Sequence, residues 1–284
     1  MKFQHPTAEL FIPDSLSEQA ALARVTHLGI GAHQDDLEFM AYHGILACYQ
    51  KEDQWFAGVT CTNGAGSART GDYAQFSDEQ MQAVRRKEQN LAAQIGQYAA
   101  MIQLGHPSSA AKDPHGTALR DDLITVLRAT QPTAVYTHNL ADKHDTHIGV
   151  AIAAIQAMRA LPAGQRPKAI YGCEVWRNLD WMPDAEKVVQ DLSSHENLAT
   201  ALNGVFDSQI AGGKRYELGV LGRRRANATF FESHSVDRAD SIAFAMELTP
   251  LVHDESLDII EYIDRFIQSF RNEVRAKLQS RLAH

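Results

Sequence analysis

Five short, apolar runs alternate with segments of helical periodicity through the first 175 residues, and this alternation restricts the chain to few folds. Residues 25–32 (VTHLGIGA), 55–61, 101–104, 133–137 and 167–175 read as strands, β-branched or apolar and bounded by polar, Gly- or Pro-bearing segments. Between them, residues 37–50 place Leu37, Met40, Ala41, Gly44, Ile45 and Cys48 at helical spacing. Ser77 with Gln80 three residues on is a capping-box pattern, which starts a helix that runs to about Ile95. Residues 119–129 and 145–160 supply two further helices. Strands alternating with such helices predict an α/β fold, a Rossmann-like and mostly parallel sheet flanked by helices. The Gly-, Ser- and Asn-rich stretch 62–76 reads as a long loop, of the kind that carries active-site residues.

The two ends are less regular. Residues 1–24 read as an extended lead-in, because Pro6 and Pro13 work against a long helix. Beyond about residue 184 the pattern weakens to a mainly helical C-terminal extension. Its last helix is clear: Phe266, Phe270, Val274, Leu278 and Leu282 recur every fourth residue, with basic residues between. That stripe packs either on its own domain, the favoured reading, or in an oligomer interface.

Composition removes several function classes. The chain has 284 residues, with Lys+Arg 27 against Asp+Glu 35 and a net charge of −8. That balance weighs against a nucleic-acid partner or an anionic membrane, both of which need a positive surface. Cys48, Cys61 and Cys173 are widely separated and form no disulfide framework. The N-terminus has no apolar run of signal-peptide length, and the most apolar stretch, 150–161, contains Arg159. It falls far short of the roughly 20 residues needed to span a bilayer. A cytoplasmic protein with no membrane span is expected.

Two polar clusters follow strands. His33-Gln34-Asp35-Asp36 comes directly after the first, and the stretch from His138 to His147 directly after the fourth. In a doubly wound sheet ligands bind at the carboxyl ends of strands. His33 and Asp36 are three apart, so a starting helical turn lets both face one point while Asp35 points elsewhere; His144 and His147 share that spacing. Two histidines and one carboxylate with open positions suit a catalytic zinc or a non-haem iron. Taken singly, each histidine reads as a loop residue and the aspartates as helix-capping acids; taken together, the clusters predict a convergent site.

With its paired motifs in this order, the stretch 25–176 resembles the PIG-L (LmbE-like) zinc-dependent N-deacetylase family. Its first motif is usually Ala-His-Pro-Asp-Asp and its second His-x-x-His. Thr62-Asn63-Gly64 and Arg85-x-x-Glu88, with Ala92 and Gly96, support the resemblance. What it implies is a hydrolase that removes an N-acetyl group from an amino sugar or its conjugate, N-acetylglucosamine being one candidate, with Zn(2+) as cofactor. His33, Asp36 and His147 would be the metal ligands, Asp35 the general base for the metal-bound water, and His144 the oxyanion or leaving-amine partner. Asp142 or Asp145 would orient His144. Arg85 and Asn63 would contact substrate, although Arg85 is equally placed for a salt bridge to Glu88. Arg69 could touch a sugar, but a solvated loop position is favoured. The resemblance also implies one deacetylase domain over 1–284, with a Rossmann-like core at 1–183 and the extension at 184–284. The partner would be a small N-acetylated molecule, with homo-oligomerisation left open.

Two departures stand out. Gln34 replaces the usual Pro, which removes a turn constraint but no ligand. Gly105-His106-Pro107 stands where many relatives carry an Asp thought to bind substrate.

Three rival readings are weaker. Gly29-x-Gly31 follows a strand, but Gln34 stands where a dinucleotide fingerprint needs Gly. A non-haem iron(II) oxygenase would take Asp35, not Asp36, as ligand and is expected on an antiparallel barrel. A catalytically silent sugar-binding protein would not need base and ligands together. Glu232, His234 and Arg223-Arg224-Arg225 could build a substrate rim, but a solvated face is the preferred reading.

Overall fold

A computed structural model describes residues 1–282. Among them, eight strands form one sheet: β1 (Glu9–Phe11), β2 (His27–Gly31), β3 (Phe56–Thr62), β4 (Ala100–His106), β5 (Ala134–His138), β6 (Ala169–Cys173), β7 (Val188–Asp191) and β8 (Ile242–Glu247), in the order β1-β4-β3-β2-β5-β6-β8-β7. The strands from β4 to β6 in that order pair in parallel. β1 closes one edge antiparallel to β4, and β8 with β7 closes the other. The expected α/β fold is therefore present, a mostly parallel sheet flanked by helices.

The N-terminal helices are α1 (Glu18–Ala23), α2 (Asp36–Met40), α3 (Tyr42–Cys48), α4 (Asp78–Ile95), α5 (Ser108–Lys112), α6 (Ala118–Thr130) and α7 (Asp145–Arg159). The C-terminal ones are α8 (Glu196–Gly204), α9 (Asp207–Ile210), α10 (Tyr216–Phe230), α11 (Thr249–His253) and α12 (Ile259–Leu282). Strand residues alternate between the two faces, and both faces are buried. Leu28, Ile30, Val59 and Val135 point to one core with Leu123 of α6 and Val150 and Ala154 of α7. Phe56 and Tyr136 point to the other with Leu37, Ile45, Ala92 and Leu202 of α2, α3, α4 and α8.

The capping box forms at α4: Ser77 Oγ accepts from Gln80 N–H at 3.3 Å, and Gln80 Oε1 accepts from Ser77 N–H at 2.8 Å. The expected helix over 37–50 is instead two helices that turn at Ala41. The lead-in holds both the edge strand β1 and α1, which the two prolines leave room for. The C-terminal extension is less helical than expected, since it adds β7 and β8 to the sheet. The apolar stripe of α12 divides: Tyr262 and Phe266 are buried on the core, whereas Phe270, Val274, Leu278 and Leu282 stay exposed. No helix among the described residues is long and apolar enough to cross a membrane.

Candidate metal centre and its cavity

The order of the parallel strands reverses between β2 and β5, which lie side by side. A crevice opens at the carboxyl ends of strands where such a reversal occurs. The first cluster leaves β2 there and the second leaves β5, so adjacency in the sheet brings together residues more than 100 positions apart.

Three side-chain atoms converge. His33 Nδ1 lies 3.2 Å from His147 Nε2 and 3.3 Å from Asp36 Oδ2, and His147 Nε2 lies 3.5 Å from the same oxygen. Ligands about 2.0–2.2 Å from a tetrahedral zinc stand roughly 3.3–3.5 Å apart, so this triangle has the size such an ion needs. Two overlapping triads of close ligand atoms share His147: His33 with His144, and Asp36 with His138. His138 does not suit the role. Its Nε2 accepts the Ala32 N–H at 2.9 Å, which occupies the lone pair a metal would require. Burial and the nearby His147 hold its pKa down at about 4.

Two members of the triangle are held by neighbouring groups. His147 Nδ1 donates to Asp142 Oδ2 at 3.2 Å, which leaves Nε2 to face His33 and Asp36. Burial alone would push the His147 pKa down, but the carboxylates of Asp36 and Asp142 outweigh it and raise it. Burial would likewise push Asp36 up, yet His147 beside it keeps the carboxyl well below the usual range. Asp36 Oδ2 also accepts the His33 N–H at 2.7 Å. Asp142 therefore does not orient the ring of His144, as expected; it holds His147. It also accepts the backbone N–H groups of Lys143, Trp176 and Arg177 at 2.6, 3.3 and 3.2 Å, tying the loop after β5 to the one after β6. Asp145 is exposed at the start of α7.

Asp35 is set apart from the triangle. Its backbone is left-handed, with φ +97° and ψ −31°, a region a residue with a Cβ enters only when its surroundings force it. Its N–H donates to Gln89 Oε1 at 3.1 Å, and its Oδ2 accepts Arg85 Nη2 at 3.1 Å. Gln89 in turn donates to Glu38 Oε1 at 2.8 Å, and the Tyr98 hydroxyl donates to the same oxygen at 2.7 Å. Burial raises the Glu38 pKa to about 8, and it raises that of Asp35 to about 6 against the opposing pull of Arg85. Asp35 makes no capping bond to α2, so it is not placed there as a helix cap.

The remaining expected residues sort themselves. His144 stands at the mouth, its ring 5.1 Å from His33 and 4.5 Å from His147, and burial with those two rings lowers its pKa. Arg85 meets neither Glu88 nor open solvent: its Nη2 is spent on Asp35 and the Gln34 carbonyl, and Glu88 accepts from Ser208 instead. Asn63 is absent from the cavity wall; its Oδ1 closes a turn on the Ala65 N–H at 3.1 Å. Arg69, half-buried on its loop, bonds to Phe76 O and Asp78 and does not line the cavity. Gln34 donates to Thr62 O and Gln103 Oε1, and His106 pairs with Asp122 at 2.8 Å.

A cavity of about 620 Å³ opens over His33, Asp35 and Asp36, the size of a small-molecule site. Its far wall comes from residues that the sequence motifs did not flag. Trp176, just past β6, stacks on His144 at 6.0 Å with 15° between planes, and Tyr216 stands edge-on to it at 5.9 Å. The position of Trp176 at the carboxyl end of a strand was the signal available. Gln89 offered none. Of the basic run, Arg223 reaches the cavity, Arg224 is buried and Arg225 pairs with Glu196; Glu232 and His234 are not in this wall.

Solved structures share the fold. The chain resembles 4-carboxy-2-hydroxymuconate hydratase GalB from Pseudomonas putida, with 18% identity, TM-score 0.56, 78% of this chain and 95% of that one. It resembles a conserved protein from Thermus thermophilus, with 20% identity, TM-score 0.58, 82% and 98%. It also resembles N,N'-diacetylchitobiose deacetylase from Pyrococcus horikoshii, with 18% identity, TM-score 0.58, 77% and 83%. No curated protein sequence matches the chain. The family model described as PIG-L, GlcNAc-PI de-N-acetylase, matches residues 28–158, a span that holds both clusters. Over residues 28–158 this chain is similar to the PIG-L family.

Proposed function

We propose that the chain is a zinc-dependent hydrolase that removes an N-acetyl group from an amino sugar or amino-sugar conjugate. The observation that carries this reading is the triangle of His33, Asp36 and His147, with Asp35 beside it but bonded elsewhere. These three would hold the ion, which when bound makes water acidic near neutral pH and polarises a carbonyl oxygen. Asp35, with a pKa of about 6, is matched to accept a proton from the attacking water near neutrality. Arg85 and Gln89 keep its carboxylate aimed and its backbone strained. His144 at the mouth would donate a hydrogen bond to the developing oxyanion and relay to the departing nitrogen the proton that Asp35 takes from water. Val175, Trp176 and Tyr216 narrow the cavity around the substrate. The C-terminal part supplies Tyr216, so we read 1–284 as one working unit rather than a core with an appendage.

The family description and the likeness to a chitobiose deacetylase support this reading. An iron oxygenase fits less well, because Asp35 is held by Arg85 outside the triangle and the sheet is parallel. Water addition to a carboxylated substrate is the second reading, favoured by the likeness to a hydratase. The deciding experiment measures metal content by elemental analysis and acetate release from a panel of N-acetylated sugars. About one zinc per chain with acetate released supports the proposal. Stoichiometric iron, or no metal, overturns the ligand assignment; zinc with hydration and no acetate moves the chain to the second reading.

A further inference from the structure

Charge is distributed unevenly around the cavity. The whole chain carries −8, yet the cavity is lined by six cations, Arg85, Lys112, Lys143, Lys214, Arg215 and Arg223, and by two carboxylates, Asp35 and Asp36. Both carboxylates are already engaged, one by Arg85 and the other by the histidines. Arg215 pairs with Glu217. Lys112, Lys143, Lys214 and Arg223 form no salt bridge among the described residues, and they come from four separate segments: the end of α5, the loop after β5, the turn before α10, and α10 itself. The Lys214 ammonium sits 5.4 Å over the Trp176 ring, the same ring that stacks on His144. Deeper in, Arg85 is buried, and its Nε and Nη1 find no hydrogen-bond partner.

A solvated surface of an acidic chain would scatter its lysines among carboxylates. Here four cations with no salt-bridge partner among the described residues converge on one concavity, an arrangement that lowers the energy of an anion in the cavity and steers it there. We propose that the substrate carries an anionic group, a carboxylate or a phosphate, beyond the amide, held at the mouth by Lys143, Lys214, Lys112 and Arg223 while the amide reaches His33 and Asp35. This rests on the hydrolase reading for its turnover arm only; the binding arm stands without it.

The test uses the metal-loaded protein and three sugars: neutral N-acetylglucosamine, its 6-phosphate, and N-acetylmuramic acid as the carboxylated member. Binding is titrated by calorimetry and acetate release is followed in parallel. An anionic member binds about 30-fold tighter than the neutral one at low salt, and the gap closes to about threefold near 1 M salt, where screening is strong. Preference for the phosphate marks a phosphorylated natural substrate and preference for the carboxylate a carboxylated one. The double substitution Lys143→Gln with Lys214→Gln, both exposed, reduces the preference about tenfold with an unchanged melting profile. Equal or undetectable binding of anionic and neutral sugars overturns the proposal, as does a preference that survives the double substitution. Tighter anion binding with no acetate from any sugar keeps the cationic mouth and removes the deacetylase reading instead.

Discussion

The two halves of the cavity are built differently. The half within residues 28–158 places its reactive atoms just past β2 and β5, where Asp36 and His147 are buried and stand with His33 in a triangle of 3.2–3.5 Å. The other half, from Trp176 to Arg223, uses half-exposed aromatic rings and exposed cations on later segments. A parallel sheet covered on both faces fixes strand ends to within small tolerances, and chemistry needs that. Recognition of a substrate periphery tolerates longer, mobile side chains. The division implies that variants of the buried residues past β2 and β5 act on metal and turnover, and those of the rim, Lys112 and Lys143 included, on affinity and selectivity.

That contrast can be broken at four points. The largest effect is expected for His147→Ala, which removes a proposed ligand held by Asp142: the purified protein should contain no stoichiometric metal, and full zinc loading would refute the triangle. Asp35→Asn should keep the metal and lower kcat by about 10³-fold, a size typical of losing a positioned base; elemental analysis and acetate release read both. Gln89→Ala touches no substrate but frees the Asp35 backbone from its left-handed conformation. A fall in kcat of about tenfold, with KM unchanged and rescue by Gln89→Glu absent because a carboxylate cannot donate to Glu38, would mark it as a positioning residue. Trp176→Ala should have the smallest effect on chemistry, with KM raised about tenfold and metal retained. If it instead removed the metal, the two halves would not be separable.

Much of the first half is legible in sequence because its signals are local. Strand and helix periods, the Ser77–Gln80 capping box and the His/Asp clusters need no knowledge of distant contacts. What failed was tertiary choice among equivalent local options. Arg85 and Glu88 are one turn apart, yet Arg85 turns to Asp35 and Glu88 to the equally buried Ser208. Asp142 could reach the ring of His144 or of His147 and takes His147. In the second half, the run IAFAME at 242–247 has no period to distinguish a buried strand from a buried helix, so β8 was hidden, and the four-residue β7 with it.

Arg224 carries a further consequence. Buried in α10, it donates through Nη2 to the carbonyls of Glu38 and Phe39 at 2.9 and 3.0 Å, closing the last turn of the short helix that begins with Asp36. Burial lowers its pKa, but only to about 10, so it remains a cation at neutral pH. In evolutionary terms this limits how the chain can change its diet. A recombination event that traded the C-terminal segment for another would import new recognition residues, but unless the newcomer brought a donor to the same spot it would leave two helix-end carbonyls stranded beneath the reactive centre. Selectivity in such a lineage is thus freer to drift by point changes along the rim than by exchange of whole segments.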